Sequence, residues 1–209
     1  RYIRRQRQMC IRDSLNTINA ATTGLVTATA VTALTGTAAA LNTLMGNEGD
    51  SGDKVNLDDD FTVTVSAGSV AAAHLNTINA KTTGLVTATA ATAITGTAAA
   101  INTLIGNEGD SGDKVNLDAD YDITVNSGTA SVSLANTFAA ATGGTVTAEI
   151  TETDAATLAT LNETTNAYTI TVGDTSVTAA RLIAIDGATT VNVTATAVTT
   201  ISGAAADLN

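Results

Sequence analysis

The residues with the most chemistry in them are carboxylates. Glu48, Asp50, Asp53, Asp58, Asp59 and Asp60 fall within one short stretch, and Glu108, Asp110, Asp113, Asp118, Asp120 and Asp122 repeat the arrangement sixty positions on. Hard cations such as Ca²⁺ take several oxygen ligands from carboxylates and carbonyls, and the clustered Asp, Asn and Gly residues supply these. The residues expected to serve as Ca²⁺ ligands are Asp50, Asp53, Asp58 and Asp60 in the first loop, and Asp110, Asp113, Asp118 and Asp120 in the second. The competing reading is a solvated, charge-rich loop with no ligand. Other chemistry is thin. His74 is the sole histidine and cannot build a metal site or a catalytic triad by itself; a later copy carries Arg181 in its place, which points to a surface or helix-end position. There is no Gly-x-Ser-x-Gly elbow and no phosphate-binding glycine loop, so catalysis is not expected.

The spacing of the acids fits known calcium loops poorly. An EF-hand needs alternating acids, then Gly and a distal Glu. Gly49-Asp50-Ser51-Gly52-Asp53 resembles the glycine–aspartate nonapeptide of calcium-binding β-helices, but Lys54 stands where that motif has aspartate and Asn56 where it has a large apolar residue. Thr27/Thr29, Thr87/Thr89 and Thr194/Thr196 offer another surface. Stacked Thr-x-Thr pairs on a flat strand face resemble ice-binding and carbohydrate-binding solenoids, although Thr is also simply a good outward residue in strands.

The elements that must position these groups come from a repeat. Residues 15–65 align with 75–125 at 42 of 51 positions without a gap, and periods of this size mark repeat architectures. The expected units are 15–74, 75–133, a diverged 134–181 in which the acidic loop shrinks to Leu161-Asn162-Glu163-Thr164-Thr165-Asn166, and a partial 182–209. Both ends of the chain are expected to be cuts within a longer repeat array.

Differences between the two close copies sort the core. Leu34/Ile94, Leu41/Ile101, Met45/Ile105, Val63/Ile123 and Phe61/Tyr121 conserve volume, as buried sites demand, and are expected inside. Ala21/Lys81, Asp59/Ala119 and Thr62/Asp122 change polarity and are expected in solvent, while Val31/Ala91 is expected at the edge of the core. Phe61, Val63 and Val65 alternate with Thr62 and Thr64, as Tyr121, Ile123 and Val125 do with Asp122 and Thr124. Tyr168, Ile170 and Val172 repeat the pattern. Period two predicts a half-buried strand. A second strand is predicted over 26–30, 86–90 and 193–197. Helices are predicted around Leu41, Leu44 and Met45, closed by Gly46 at C′, and around Ala71, Leu75 and Ile78, opened by Ser69 as N-cap.

Helices this short persist only when packed, and strand–helix coils bury their apolar face by stacking on neighbours. The fold expected is therefore an α/β repeat solenoid with parallel strands and short helices. The alternatives are an all-β solenoid, or a string of small β-sandwiches, for which sixty residues is short.

Residues 4–13 stand apart. Read as codons CGT-CGG-CAG-CGT-CAG-ATG-TGT-ATA-AGA-GAC, they resemble a transposase-end sequencing adapter. Residues 1–14 are therefore set aside as an artefact, expected to be unstructured; the competing reading is a basic N-terminal arm. Without them the chain has four basic residues against nineteen acids, a net charge of −15, and no cysteine. That charge excludes nucleic acid and anionic membranes as partners, and no apolar run is long enough to cross a bilayer.

Thr22-Thr23-Gly24-Leu25-Val26-Thr27-Ala28, then Leu34-Thr35-Gly36-Thr37-Ala38-Ala39, together with Ile201-Ser202-Gly203-Ala204-Ala205-Ala206-Asp207-Leu208-Asn209, resembles repeats of very large surface or secreted proteins of marine bacteria, cyanobacteria included. The resemblance implies an adhesin-like or cell-envelope role outside the cell, often beside calcium-binding repeats, and transfers no binding residues. The partners expected are neighbouring repeats, surface polysaccharide or another cell.

Overall fold

The computed structural model describes residues 15–207; the expectation about residues 1–14 lies outside them. The fold is α/β, and every strand pair whose register is given below is parallel. The described residues fall into two compact units: residues 15–94 with Thr103–Asp118, and Thr95–Asn102 with residues 119–207. Neither division falls at the repeat boundary between 74 and 75.

In the first unit, helical residues 15–20 (α1) precede β1 (Val26–Thr27), β2 (Ala33–Gly36), α2 (Ala38–Gly46), β3 (Val55–Asn56), β4 (Thr62–Val65), β5 (Gly68–Ala71), α3 (Ala72–Asn79) and β6 (Val86–Thr87). β7 (Ala91–Thr97) and α4 (Ala98–Gly106) fall partly in each unit, and β8 (Val115–Asn116) returns to the first. A four-stranded sheet runs β2-β4-β6-β8. Its register aligns Leu34, Val63, Val86 and Val115 in one row and Thr35, Thr64, Thr87 and Asn116 in the next. The first row is buried and the second faces solvent wholly or in part, as the two-residue period of a strand requires. α2 packs on α3, burying Leu41, Leu44, Leu75 and Ile78.

The second unit holds β9 (Asp122–Ser127), α5 (Val132–Ala141), β10 (Val146–Glu149), α6 (Ala155–Leu158), β11 (Ala167–Thr169), β12 (Ser176–Thr178), α7 (Ala179–Gly187) and β13 (Thr200–Ser202). β9, β10 and β11 pair side by side and β12 pairs β13. Phe138 and Tyr168 are fully buried.

Loss of the acidic loop is visible in the strand spacing. Val26 pairs with Val55 and Val86 with Val115, twenty-nine residues on, whereas Thr147 pairs with Ala167, only twenty residues on. In the longer loops Val26 N–H and Val86 N–H donate to Lys54 O and Lys114 O at 2.8 and 3.0 Å. In the shortened copy the buried Asn166 supplies the acceptor from its side chain, Oδ1 lying 2.8 Å from Val146 N. A side-chain amide there stands in for the backbone carbonyl of the longer loops.

A recurring Thr-containing corner ties the residues that follow a helix to an earlier strand. Thr82 is buried; its hydroxyl donates to Phe61 O and accepts from Gly84 N–H at 3.0 Å. Thr83 holds Asp59 O through its N–H (2.8 Å) and its hydroxyl (3.1 Å). Thr142 does the same for Tyr121 O (2.5 Å) and Gly144 N–H (3.0 Å). Thr189 holds Tyr168 O at 2.7 Å and accepts from Val191 N–H at 3.2 Å. A Cβ on Gly84 would lie 2.7 Å from Asp60 O, 2.9 Å from Phe61 C and closer still to Phe61 O. On Gly144 it would lie 2.6 Å from Tyr121 C and 2.9 Å from Asp120 O. Glycine is required at both corners because backbone passes directly behind it.

The inward set is as the copy differences predict. Leu34, Ile94, Leu41, Ile101, Met45, Val63, Ile123, Phe61 and Tyr121 are buried, and only Ile105 is half-buried. Ala91 is buried where the larger Val31 is half-buried. Other expectations need correction. The all-β alternative fails because the Ala-rich segments 38–46, 98–106 and 132–141 are helices. The strand predicted over 26–30 stops at Thr27, since a turn closes from Val31 N–H to Ala28 O at 3.0 Å. Residues 193–197 contribute only an isolated bridge from Thr194 to Thr171. Gly46 is the last helical residue, with Asn47 as cap at φ −96°. Ser69 lies in β5, and α3 starts after Ala71 with no side-chain cap. Thr37 and Thr178 cap α2 and α7 instead.

Burial makes Tyr168 titrate late. Its hydroxyl donates to Ala135 O at 3.3 Å; loss of solvation, and then the nearby charge of Glu163, push its pKa up to about 12 from 10.0. A group raised in the folded state contributes stability that is complete below its unfolded pKa and lost as pH climbs towards the folded value. Stability should therefore fall between pH 10 and 12, and Tyr168→Phe should flatten that fall. Denaturation curves across this range, with tyrosinate absorbance, provide the check.

Candidate functional site

Each acidic loop begins where a helix ends. α2 delivers the chain at Gly46 and Asn47, and the loop folds back so that Val55 N–H donates to Asn47 O at 2.8 Å and Gly49 N–H to Val55 O at 3.1 Å. Gly52 supplies the reversal at φ +71°, and Gly112 matches it at +67°. Lys54 Nζ reaches Gly46 O at 3.2 Å, placing a cation at the negative end of α2. The loop is closed by backbone and one lysine, and its aspartates are left exposed.

Asp50, Asp53, Asp58 and Asp60 are all exposed, as are Asp110, Asp113, Asp118 and Asp120. Asp50 and Asp58 line one open concavity of about 430 Å³, together with Glu48, Asp59, Asn56 and Thr29. Asp53 lines a different one of about 600 Å³ with Asn16, Asn19, Asn47 and Thr22; Asp60 lines neither. Asp58 Oδ1 is engaged locally by Asp59 N–H at 2.9 Å. Glu48 forms an ion pair with Lys81 at 3.0 Å, so the lysine that replaces Ala21 in the second copy neutralises a carboxylate of the first. In the second loop the Asp113 carbonyl accepts from Asn79 Nδ2 at 3.3 Å. Among the described residues, no group of three or more His, Cys, Asp or Glu side chains converges closely enough to hold a metal ion. What the first loop does assemble is a carboxylate-rimmed hollow in which Glu48 and Asp59, absent from the expected ligands, join Asp50 and Asp58.

The Thr-x-Thr face is not formed. Thr29, Thr89 and Thr196 lie in turns, not in strands, so the two threonines of each pair do not share a flat surface. The outward row is Thr35, Thr64, Thr87 and Asn116 instead, set by cross-strand register. His74 is half-buried on α3, and its counterpart Arg181 is exposed on α7.

Sequence reasoning missed a second feature, at the first copy of the threonine corner. Thr22, Thr23 and Gly24 have the sequence of Thr82, Thr83 and Gly84, and Gly24 N–H donates to Thr22 Oγ1 at 3.1 Å. No carbonyl comparable to Phe61 O is bound there among the described residues: Thr22 is exposed where Thr82 is buried, and a Cβ on Gly24 would meet nothing nearer than Thr22 Oγ1 at 3.7 Å. The signal that could have exposed it is the recurrence of an aromatic residue twenty-one positions before each corner threonine, as in Phe61/Thr82, Tyr121/Thr142 and Tyr168/Thr189. Among the described residues, no helix is long and apolar enough to cross a membrane. No family model, curated protein or solved structure matches this chain.

Proposed function

We propose that the chain is a non-enzymatic structural and adhesive repeat segment of a large extracellular or cell-surface bacterial protein, built as a solenoid. The observation that carries this reading is the cross-copy stacking of the repeat: β4 of one copy pairs in parallel with β6 of the next, and a threonine corner locks the two together. A repeat that buries its apolar face on its neighbour extends without limit in one direction, which suits a spacer that presents surface away from a cell. The outward threonine row and the acidic hollows supply polar surface for polysaccharide or for another cell. The reading is tested by coating inert beads with the full chain and measuring their attachment to polysaccharide-coated and cell-coated surfaces under flow. Attachment above that of uncoated beads is expected, and equal detachment of both would sink the adhesive role.

A second reading, calcium-dependent binding, is favoured by the hollow that Glu48, Asp50, Asp58 and Asp59 line. Glu48 is paired with Lys81, but Asp50, Asp58 and Asp59 repel one another at low salt, and a divalent ion would relieve that repulsion. Binding stabilises by RT ln(1 + [L]/Kd), about 2.7 kcal/mol at a hundredfold excess over Kd. Millimolar CaCl₂ should then raise the melting temperature beyond NaCl of equal ionic strength, and Asp50→Asn with Asp58→Asn should remove the difference. An equal rise with NaCl would reduce the loops to screened charge.

A further inference from the structure

The open corner at Thr22-Thr23-Gly24, with the free side of β1, is a receptor for a strand, and we propose that its occupant is the aromatic-led strand of a further repeat. The proposal rests on the repeat-segment reading and specifies the partner. The argument is a comparison of one sequence in two surroundings. Residues 15–30 and 75–90 differ at only one position, Ala21/Lys81, yet Ile78 is fully buried and Ile18 is 50 % exposed. Val86 and Ala88 are buried; Val26 and Ala28 are half-buried. The difference lies in what covers them, because nearly identical side chains have no other reason to differ in exposure.

In the second copy the covering elements are α2, packed on α3, and β4, paired with β6. Val63 N–H donates to Leu85 O at 3.0 Å, and β6 has strands on both sides. β1 has a strand only on the side of β3, so its other edge, including the carbonyl of Leu25, faces no strand among the described residues. Leu25 itself is 39 % exposed. An unpaired parallel edge beside an exposed apolar residue is the arrangement that accepts an added strand.

The corner narrows the choice of strand. Each filled corner binds the carbonyl of an aromatic residue just before or within a strand: Phe61 before β4 at Thr82, Tyr121 before β9 at Thr142, Tyr168 within β11 at Thr189. Behind Gly84 and Gly144 the preceding strand's backbone passes too close for any Cβ. Thr22 and Gly24 reproduce the donor and the absent side chain. A strand of the type Asp-Asp-Asp-Phe-Thr-Val-Thr-Val would place its Phe carbonyl on the Thr22 hydroxyl and its first Val N–H on Leu25 O.

The test uses the full chain and a synthetic peptide spanning residues 57–66. Calorimetry should show saturable one-to-one binding, and amide resonances of Thr22, Thr23, Gly24, Val26 and Thr27 should shift together. Gly24→Ala is the decisive variant. Its Cβ meets only Thr22 Oγ1, at an ordinary 3.7 Å, in the unliganded chain, so melting should be unchanged, but it projects into the space the incoming backbone needs and should weaken the peptide by about tenfold or more. Absence of saturable binding overturns the proposal, and so does binding that Gly24→Ala leaves unaltered or that shifts resonances elsewhere. Failure here with beads still adhering would refute the docking edge alone; failure of adhesion with peptide binding intact would refute the adhesive role alone.

Discussion

Gly84→Ala should lower the free energy of unfolding by about 3 kcal/mol or more, while Gly24→Ala changes it by about 0.5 kcal/mol or less. The two glycines occupy the same place in near-identical sequence, and neither has a positive φ, so backbone conformation alone cannot separate them. What separates them is the backbone of Asp60 and Phe61, which lies against Gly84 and has no counterpart at Gly24 among the described residues. A methyl group there overlaps backbone that is pinned on both sides by Thr82 and Thr83. Relief requires β4 to move off β6, breaking the Val63–Val86 register. Urea titrations of the two variants beside the parent chain provide the measurement. Equal effects would mean that the corner is not a point of close contact.

Phe61→Ala should cost about 3–5 kcal/mol, the range for a large aromatic removed from a packed core. Aromatic residues make up only 2 % of this chain, and Phe61, Tyr121, Phe138 and Tyr168 are among its largest fully buried side chains. A core filled otherwise by Ala, Val, Leu and Ile between short strands and helices has little side-chain length with which to close a cavity of that size. Hydrogen exchange should show protection lost first in β4 and in its partners β2 and β6, because these strands share the register that Phe61 leads. Phe61→Tyr, which reproduces the residue of the second copy, should be mild by comparison. A loss below about 1 kcal/mol for Phe61→Ala would show that the site collapses freely.

Much of this was legible in the sequence because two nearly identical copies filter their own substitutions. Exchanges such as Leu34/Ile94 and Phe61/Tyr121 conserve volume only where a side chain is enclosed, and the alternation from Phe61 to Val65 fixes which face is inward. The α/β character followed from the helical period around Leu41, Leu44 and Met45. Short strands at Ala33–Gly36, Val55–Asn56 and Val115–Asn116 were not legible: two to four residues of mixed Ala, Thr, Gly, Val and Asn carry too little periodicity to register. Their strand character comes from hydrogen bonds to partners more than twenty residues away.

The acidic loops divide in the same way. Sequence determined that the carboxylates cluster along the chain and that the loop is dispensable to the scaffold. Only the tertiary structure decided which carboxylates share a hollow: the reversal at Gly52 and the return of Val55 to Asn47 turn Asp50 towards Asp58 and carry Asp53 to another face. The threonine corner is the clearest case. Thr-Thr-Gly recurs visibly at 22–24 and 82–84, and sequence alone assigns the two occurrences one structure. Whether the corner is filled depends on an earlier strand lying against it. Local sequence sets the donors and leaves the space, and contact with a neighbouring element decides burial, as the buried Ile78 on α3, against which α2 packs, and the exposed Ile18 show.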